Sequence, residues 1–475
     1  MAEKSVVAAE KEIPADATIL TADIGGSKFM VGFVSAAGEV LCVERYEWLN
    51  PTAEEILDKV ESALRAQLEA HPDLAARVIA GGLTIPGLAE PVKGVWLDSD
   101  FPPIRDLHIC EELSERLGIP FYGDNDGNAC VLAEGYFGSA RGASDFIYIT
   151  VSSGVGGGAC VGGELFYGAH CESGEIGLTI CEQGGRPSRS GKQHGPLEMY
   201  CCTEGMSQTF IELGGPSEVD GHAPGGKEIA ACAEKGNEAA LRTIELEGKR
   251  LGRAIACADA LLAPEVVVLG GGISLMLDRF APALEAELKR IRPQGGPRVV
   301  ASELGYQGAF LGAAACGLRG AQGFSHPLGA GGDDACALVI TRDDKNRVRC
   351  ELIADDKPVV GADCARGGEL GGYLVAQGVD DEGSTLDEVF SEVDIEALVE
   401  SAQAGDEGAA ARLAALGDTL GRAVAFASML FDPGTIRVGN GLSLARDFIE
   451  QSFVEAVVRE TYYLADTIPY VFTWE

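Results

Sequence analysis

The sequence predicts an α/β protein in which mixed sheets are flanked by helices, in a pattern that recurs along the chain. Three observations predict it. Short apolar segments alternate with segments of helical periodicity from Thr18 onward. Glycine-rich turns punctuate that alternation at Gly25-Gly26, Gly156 to Gly158 and Gly270 to Gly272. A block in the middle of the chain, Leu251 to Ser274, returns at Leu420 to Ser443.

Thr18 to Asp23 reads as a strand that runs into Gly25-Gly26, and Phe29 to Val34 and Val40 to Tyr46 as two more. Pro51 to Ala70 has helical periodicity, and Val78 to Ile85 is a strand that stops at Pro86-Gly87. Asp106 to Leu117 reads as a helix, Pro120 to Gly123 as a strand and Gly127 to Gly135 as a helix. A second series opens with the strand Phe146 to Val151, a glycine-rich turn and the strand Gly158 to Val161. Glu228 to Leu262 is a long helical region, Val266 to Leu269 a buried strand and Ala309 to Leu318 a helix of small residues. Gly329 to Asp334 has linker composition.

The two blocks Leu251 to Ser274 and Leu420 to Ser443 share eleven of 24 residues at a constant offset of 169. Upstream, Gly168 to Gly177 resembles Gly361 to Gly371 with one insertion, and Glu369 answers to Glu175. Residues 335–475 therefore read as a shortened second copy of 144–322. The copy is eroded: Arg342 to Arg347, a charged turn without glycine, stands where the first copy has its glycine loop.

Apolar residues at 46% and charged residues at 23% fit a chain with a buried core, and 475 residues fit two to four domains. Asp plus Glu number 73 against 37 Lys plus Arg, a net charge of −36. Nucleic acid is not an expected partner, because phosphate contacts need clustered Lys or Arg. A small anionic ligand is compatible, since backbone N–H groups can hold one inside an acidic protein. No run of 18 or more apolar residues occurs and Met1 to Pro14 has no apolar core, so neither a membrane span nor a signal peptide is expected. The 14 cysteines are scattered without a CxxC, which fits reduced thiols in a cytoplasmic protein.

Four segments can carry chemistry. Asp23-Ile24-Gly25-Gly26-Ser27-Lys28 joins two strands, where glycines allow close backbone approach to a phosphate and Asp23 can orient a Mg²⁺-bound water; many plain hairpins also carry Gly-Gly. Ser152 to Gly158 reads either as a second phosphate cradle or as a glycine-rich turn. Gly270-Gly271-Gly272 can seat a flat ring, and its place in the chain does not fit a Rossmann dinucleotide site. Asn125-Asp126 stands between a strand and a helix, where a carboxylate is either a cap or a general base that takes a hydroxyl proton during phosphoryl transfer.

In one order, eight motifs resemble those of the ROK family (repressors, open reading frames, kinases) of the actin-like ATPase superfamily, over about two thirds of the chain. Asp23 to Lys28 resembles DxGGTK, Ile85-Pro86-Gly87 the family's Pro-Gly segment, and Asn125 to Asn128 its NDxN. Ser153 to Gly158 resembles TGIGGG, Ser173 to Leu178 AGEIGH, and Gly195 to Glu198 GCLE. Gly270 to Gly272 and Gly312-Ala313-Ala314 complete the set.

The resemblance implies an actin-like, RNase-H-like two-lobed sugar kinase fold, here with a third, degenerate RNase-H-like domain. The organisation expected is a disordered arm at 1–15, a small lobe at 16–138 and a large lobe at 139–328 whose last helix, about 308–320, packs back on the small lobe. A linker at 329–334 and the copy at 335–475 follow. ATP and Mg²⁺ would be held by Asp23, Gly25, Gly26, Ser27, Lys28, Ser153, Gly154, Gly156, Gly270, Gly271 and Gly272. Asp126 would be the catalytic base, and Asn125, Glu175 and Glu198 would hold a hexose, with Asp100 near the place of a further substrate residue. The activity implied is that of an ATP-dependent sugar kinase; the alternative is a sugar- or nucleotide-binding regulatory protein with weakened catalysis.

The chain departs from the family at its structural zinc. Leu178 stands at the histidine position, and Ser188, Ser190 and Pro196 at cysteine positions, so no zinc is expected. His194 with Cys181, Cys201 or Cys202 has the wrong spacing to replace it. Only 22 residues precede Asp23, too few for the DNA-binding domain of the family's repressors. The second copy is expected to pack on the large lobe as a second subunit would, an intrachain pseudo-dimer, with further homo-oligomerisation left open.

Overall fold

The computed structural model describes residues 12–475 apart from 101, 220, 361–366, 440 and 463–468. Most of the expected arm, and Gly361 to Arg366 and Asn440 of the second copy, lie outside the described residues. The chain divides into two compact units. One comprises Met1–Tyr148, Gly158–Phe166 and Ser302–Leu328; the other comprises Ile149–Gly157, Tyr167–Ala301 and Gly329–Glu475.

The first unit is built on strands β1 (Thr18–Ile24), β2 (Lys28–Ser35), β3 (Val40–Glu47) and β4 (Val78–Ile85). β5 (Leu88–Glu90), β6 (Val95–Asp100) and β7 (Pro103–Leu107) form a separate antiparallel sheet. β8 (Phe121–Asn125) returns to the main sheet, whose order is β3-β2-β1-β4-β8. β1, β4 and β8 are parallel, so their C-terminal ends, Asp23, Thr84 and Asn125, emerge on one edge. The helix Ala53–Ala70 starts from a capping box of Thr52 and Glu55 and buries Ile56, Val60 and Leu64 in one core with Phe29 and Phe33. The helix Gly308–Ala321 lies on the same sheet, and Gly82 makes room for it: a Cβ there would stand 1.9 Å from the Ala313 carbonyl oxygen.

The second sheet contains β9 (Phe146–Val151), β10 (Val155–Val161), β11 (Glu164–Leu165), β12 (Val266–Gly270) and β13 (Arg298–Ala301), in the order β11-β10-β9-β12-β13. The third contains β14 (Cys336–Arg342), β15 (Val348–Ala354), β16 (Lys357–Val360), β17 (Thr435–Val438) and β18 (Val471–Trp474), in the order β16-β15-β14-β17-β18. The two orders correspond strand for strand. Each also has a 25-residue helix before its fourth strand, Glu238–Leu262 and Glu407–Phe431.

Several boundaries differ from the sequence reading, each for a local reason. The helix expected from Asp106 starts at Ile109, because Pro103–Leu107 is a strand whose Ile104 and Leu107 join the core. The helical region 228–262 is two helices, Gly226–Glu234 and Glu238–Leu262, parted at Gly236 (φ +77°) and restarted by the Asn237 cap. Helix Glu407–Phe431 is long and apolar enough to cross a membrane, and Arg412, Asp418 and Arg422 had broken its apolar run; 78% of its most apolar window is buried in the fold, as in a core helix.

Candidate active site

The parallel strands of the first unit bring one cluster together. Thr84 Oγ1 at the end of β4 donates to Asp23 Oδ1 at the end of β1, at 2.5 Å. Burial raises the pKa of Asp23, the Thr84 bond opposes the shift, and the nearby Asp126 carboxylate adds to it. Gly25 N–H donates to the Lys28 carbonyl at 2.9 Å, closing the turn, and Trp48 Nε1 donates to the carbonyls of Gly25 and Gly26 at 3.1 and 3.0 Å. Ser27 and Lys28 are exposed on that turn.

Asp126 is the first residue of the helix Asp126–Tyr136, and Asn125 is its cap: Asn125 Oδ1 accepts the Asn128 N–H at 2.7 Å. Asp124 is buried behind them, and its Oδ1 accepts the Asn125 N–H at 2.8 Å and Asn128 Nδ2 at 3.1 Å. With the cap supplied by Asn125, Asp126 is an exposed residue at the start of the helix and its carboxylate is not used as the cap. The chain packed around it raises its pKa above the ordinary aspartate value, against the Gly127 N–H bond at 3.0 Å that lowers it. Asp100 ends β6 opposite Pro103.

The second unit carries the other residues. The turn between β9 and β10 is only Ser152 to Gly154, because β10 starts at Val155; Gly156 to Gly158 are therefore strand residues, not loop. The short turn is pinned where Thr203 N–H and Oγ1 donate to the Ser152 carbonyl at 2.7 and 2.8 Å. Glu198 opens the helix Glu198–Cys201. Its half-buried carboxylate has a raised pKa from desolvation, which the Arg189 guanidinium and the Val155 backbone oppose. Glu175 precedes the 3₁₀ turn Ile176–Leu178, and Gly177 lets that turn press on β10: a Cβ there would stand 1.9 Å from the Val155 carbonyl oxygen. Ser153, Arg189, Thr203, Glu204, Ser207 and Gly225 are among the residues lining a cavity of about 600 Å³.

Gly270 ends β12, and Gly271 and Gly272 open a helical turn to Ser274. Gly271 (φ +76°) lies so close to β9 that a Cβ would stand 2.3 Å from the Val151 carbonyl oxygen, whereas Gly272 faces open space.

The loop that departs from the zinc pattern is held by hydrogen bonds. Ser188 Oγ and Ser190 Oγ are 3.1 Å apart, and Gln193 N–H donates to Ser188 Oγ at 3.2 Å. Pro196 pairs with Ile180 in an isolated bridge, and Leu178 Cα stands in the 3₁₀ turn. Arg186 ties the loop to the helices behind it, donating to the carbonyls of Met199 (2.8 Å) and Gly205 (2.9 Å) and to Thr209 Oγ1 (3.0 Å). The guanidiniums of Arg186 and Arg250 each lie 4.5 Å from the Tyr200 ring centroid. Arg189 of the same loop donates to the Ser153 carbonyl, which brings a cation to the phosphate-loop candidate.

Thr84, Asp124, Arg186 and Arg189 carry no motif signal in the sequence. Asp124 alone could have been found, as a carboxylate directly before the Asn125-Asp126 pair at the end of the strand read over Pro120 to Gly123.

The model of the ROK family matches residues 19–319. The chain is 30% identical over 268 residues to a glucokinase of Halalkalibacterium halodurans, covering 53% of this chain and 79% of that one. It is 29% identical over 282 residues to NagC of Escherichia coli, a DNA-binding transcriptional dual regulator, covering 58% of this chain and 69% of that one. It is also similar in structure to a ROK family glucokinase from Streptomyces griseus in complex with glucose and AMPPNP, with a TM-score of 0.52 and 26% identity, covering 63% of this chain and 98% of that one.

Proposed function

The chain is a member of the ROK family, and on that premise we propose that it is an ATP-dependent sugar kinase that transfers the γ-phosphoryl group to a hydroxyl of a hexose or related sugar. The observation that carries this reading is Asp126. Its backbone is fixed by the Asn125 cap and Asp124 behind it, while its own carboxylate stays open and close enough to Asp23 to be felt electrostatically. Asn125 supplies the helix cap in its place, so the Asp126 carboxylate, which accepts only N–H groups of its own turn, is exposed to take a proton.

The residues present fit ATP and Mg²⁺. A Cβ on Gly154 or Gly156 would find its nearest neighbour at 3.5 or 3.6 Å, so the glycines leave space that a phosphate can enter rather than serving the packing. Thr84 fixes one oxygen of Asp23, which suits a carboxylate that orients metal-bound water. When bound, Mg²⁺ would neutralise charge on the phosphates. Lys28 and Arg189 add cations on their respective loops. Gly271 and Gly272 offer a bare backbone surface for the nucleoside. Asn125, Glu175 and Glu198 orient the sugar through hydrogen bonds, and Asp126 accepts the proton of the attacking hydroxyl. Leu178 removes a ring nitrogen from the sugar side and makes it more apolar, so N-acyl hexosamines join hexoses as candidate substrates. The loop around Arg186 needs no zinc.

A second reading, a sugar-responsive regulatory protein with weakened catalysis, is favoured by the likeness to NagC and by Leu178. The two separate when the protein is incubated with ATP, Mg²⁺ and a panel of hexoses and N-acyl hexosamines and the products are read by mass spectrometry. A phosphorylated sugar supports the kinase. Sugar binding without any phosphorylated product would replace it with the regulatory reading.

A further inference from the structure

The two copies exchange equivalent hydrogen bonds. The N–H groups of Gly174 and Glu175 donate to the carbonyls of Leu430 and Met429, at the end of the helix Glu407–Phe431, at 3.0 and 2.9 Å. In the opposite direction, Gly368 and Glu369 donate to Leu261 and Ala260, at the end of the helix Glu238–Leu262, at 2.8 and 2.9 Å. Adding the repeat offset of 169 to Leu261 and Ala260 gives Leu430 and Met429. Near the middle, Gln183 N–H donates to the Gln377 carbonyl at 2.7 Å. This is the self-complementary pattern of a two-fold interface, realised within one chain.

The exchange is symmetric in backbone and asymmetric in side chains. After the first copy's helix stands Ala263 (φ +48°); at the equivalent place after the second copy's helix stands Asp432 (φ +43°). The buried Asp432 carboxylate accepts the N–H of His170 at 2.6 Å and of Glu172 at 3.1 Å, and faces His170 Nδ1 at 2.8 Å. His170 Nε2 reaches Asp333 at 3.2 Å. The Glu369 carboxylate, the counterpart of Glu175, is instead held by Arg292 and Arg349 at 3.1 and 3.2 Å. The loop with Glu175 is thus clasped through its backbone N–H groups and His170 by a buried carboxylate of the other copy, whereas Glu369 is held through its own carboxylate by Arg292 of the other copy and by Arg349 of its own.

We propose that the C-terminal copy is the positioning partner of the sugar loop, and that Asp432, through His170, Glu172 and the Gly174–Glu175 backbone, holds Glu175 in the place from which it binds the sugar. The inference rests on the sugar-kinase reading for the role of Glu175, but the positioning itself does not. Asp432 and His170 are positioning residues; neither is assigned a contact with the sugar.

The test is Asp432→Ala in the full chain, with Asp432→Asn beside it. The first copy already carries alanine at this place with the same backbone conformation, so the alanine variant is expected to fold. Hydrogen exchange is measured first, with no ligand. The His170, Glu172, Gly174 and Glu175 amides should exchange at least tenfold faster in Asp432→Ala, with protection of the helix Asp126–Tyr136 unchanged and Asp432→Asn in between. Unchanged exchange at these four amides would overturn the proposal whatever the protein binds. Steady-state kinetics follow with the sugar that the product assay identifies. The KM for sugar should rise at least tenfold in Asp432→Ala while the KM for ATP holds, with partial recovery in Asp432→Asn. Equal rises in both, or none, would overturn the role in sugar binding. A wild-type protein that phosphorylates no sugar would instead overturn the kinase reading, leaving the exchange result to decide the clasp.

Discussion

The Asp432 carboxylate holds His170 twice, by the backbone N–H at 2.6 Å and by the ring Nδ1 at 2.8 Å, across 262 residues of chain. The ring is also faced by Asp333 and lies near Glu172, so the imidazole sits among three acidic side chains.

Stability should therefore depend on pH in two steps. The Asp432 bond raises the His170 pKa to about 9 from 6.5, despite desolvation, and the carboxylate of Asp333 adds to the rise. The stabilisation is fully present below about 6.5, where both folded and unfolded states are protonated, and is lost as pH rises through 9. Burial, and then Asp432, push Glu172 up to about 7 from 4.5. Its desolvation costs nothing below 4.5, grows between 4.5 and 7, and is complete above 7. Both effects lower stability as pH rises. Urea midpoints taken between pH 6 and pH 9.5 should fall in wild type and fall less in His170→Gln.

Gly154 and Gly271 should respond in opposite ways to alanine. At Gly154 the methyl has room, 3.5 Å from Glu198 Oε2, so Gly154→Ala should melt near wild type and raise the KM for ATP by about tenfold, equivalent to about 1.4 kcal/mol. At Gly271 the methyl meets the Val151 carbonyl at 2.3 Å on a backbone at φ +76°, so Gly271→Ala should lower the melting temperature itself. Thermal melts paired with ATP kinetics separate the two.

Arg186 should be worth more than a surface cation. It donates to two carbonyls and a hydroxyl and lies over Tyr200, so Arg186→Met removes three hydrogen bonds and the ring contact, although the Gly205 carbonyl keeps Thr209 Oγ1 as a donor. A loss of about 3 kcal/mol is expected in denaturant titration, from charge-assisted hydrogen bonds and the cation–π contact together. Dialysis against a zinc chelator should leave the wild-type melt unchanged.

The acid limb of the activity should lie above the ordinary aspartate range of about 3.9. A general base works only when deprotonated, and the raised pKa of Asp126 means that activity is lost earlier as pH falls. The pH profile of kcat/KM for the sugar checks this.

Much of the first unit is legible in the sequence because its strands are apolar runs that end in glycine or in polar residues, and β4 matches its expected bounds, Val78 to Ile85. What was not legible depends on long-range packing. β7 is a strand because Ile104 and Leu107 find a core, not because Pro103 to Leu107 alternates cleanly. The glycines of β10 read as loop because glycine is a turn signal; Gly158 lies in the strand because a side chain there would collide with Val131, at 2.7 Å. Thr84 and Asp124 become site residues only when parallel pairing sets β1, β4 and β8 in register. The repeat is visible as an offset of 169, but the hydrogen-bond exchange and the Asp432 clasp need coordinates, since they join residues more than 100 positions apart.

Sugar-dependent phosphoryl transfer is read by ADP release with ATP and Mg²⁺, in wild type and Asp126→Asn, with sugar binding measured separately by calorimetry. Release is expected to depend on the sugar in wild type and to fall by about 10²–10⁴ in the variant, with sugar affinity retained. Release that ignores the sugar, or a variant as fast as wild type, would contradict it.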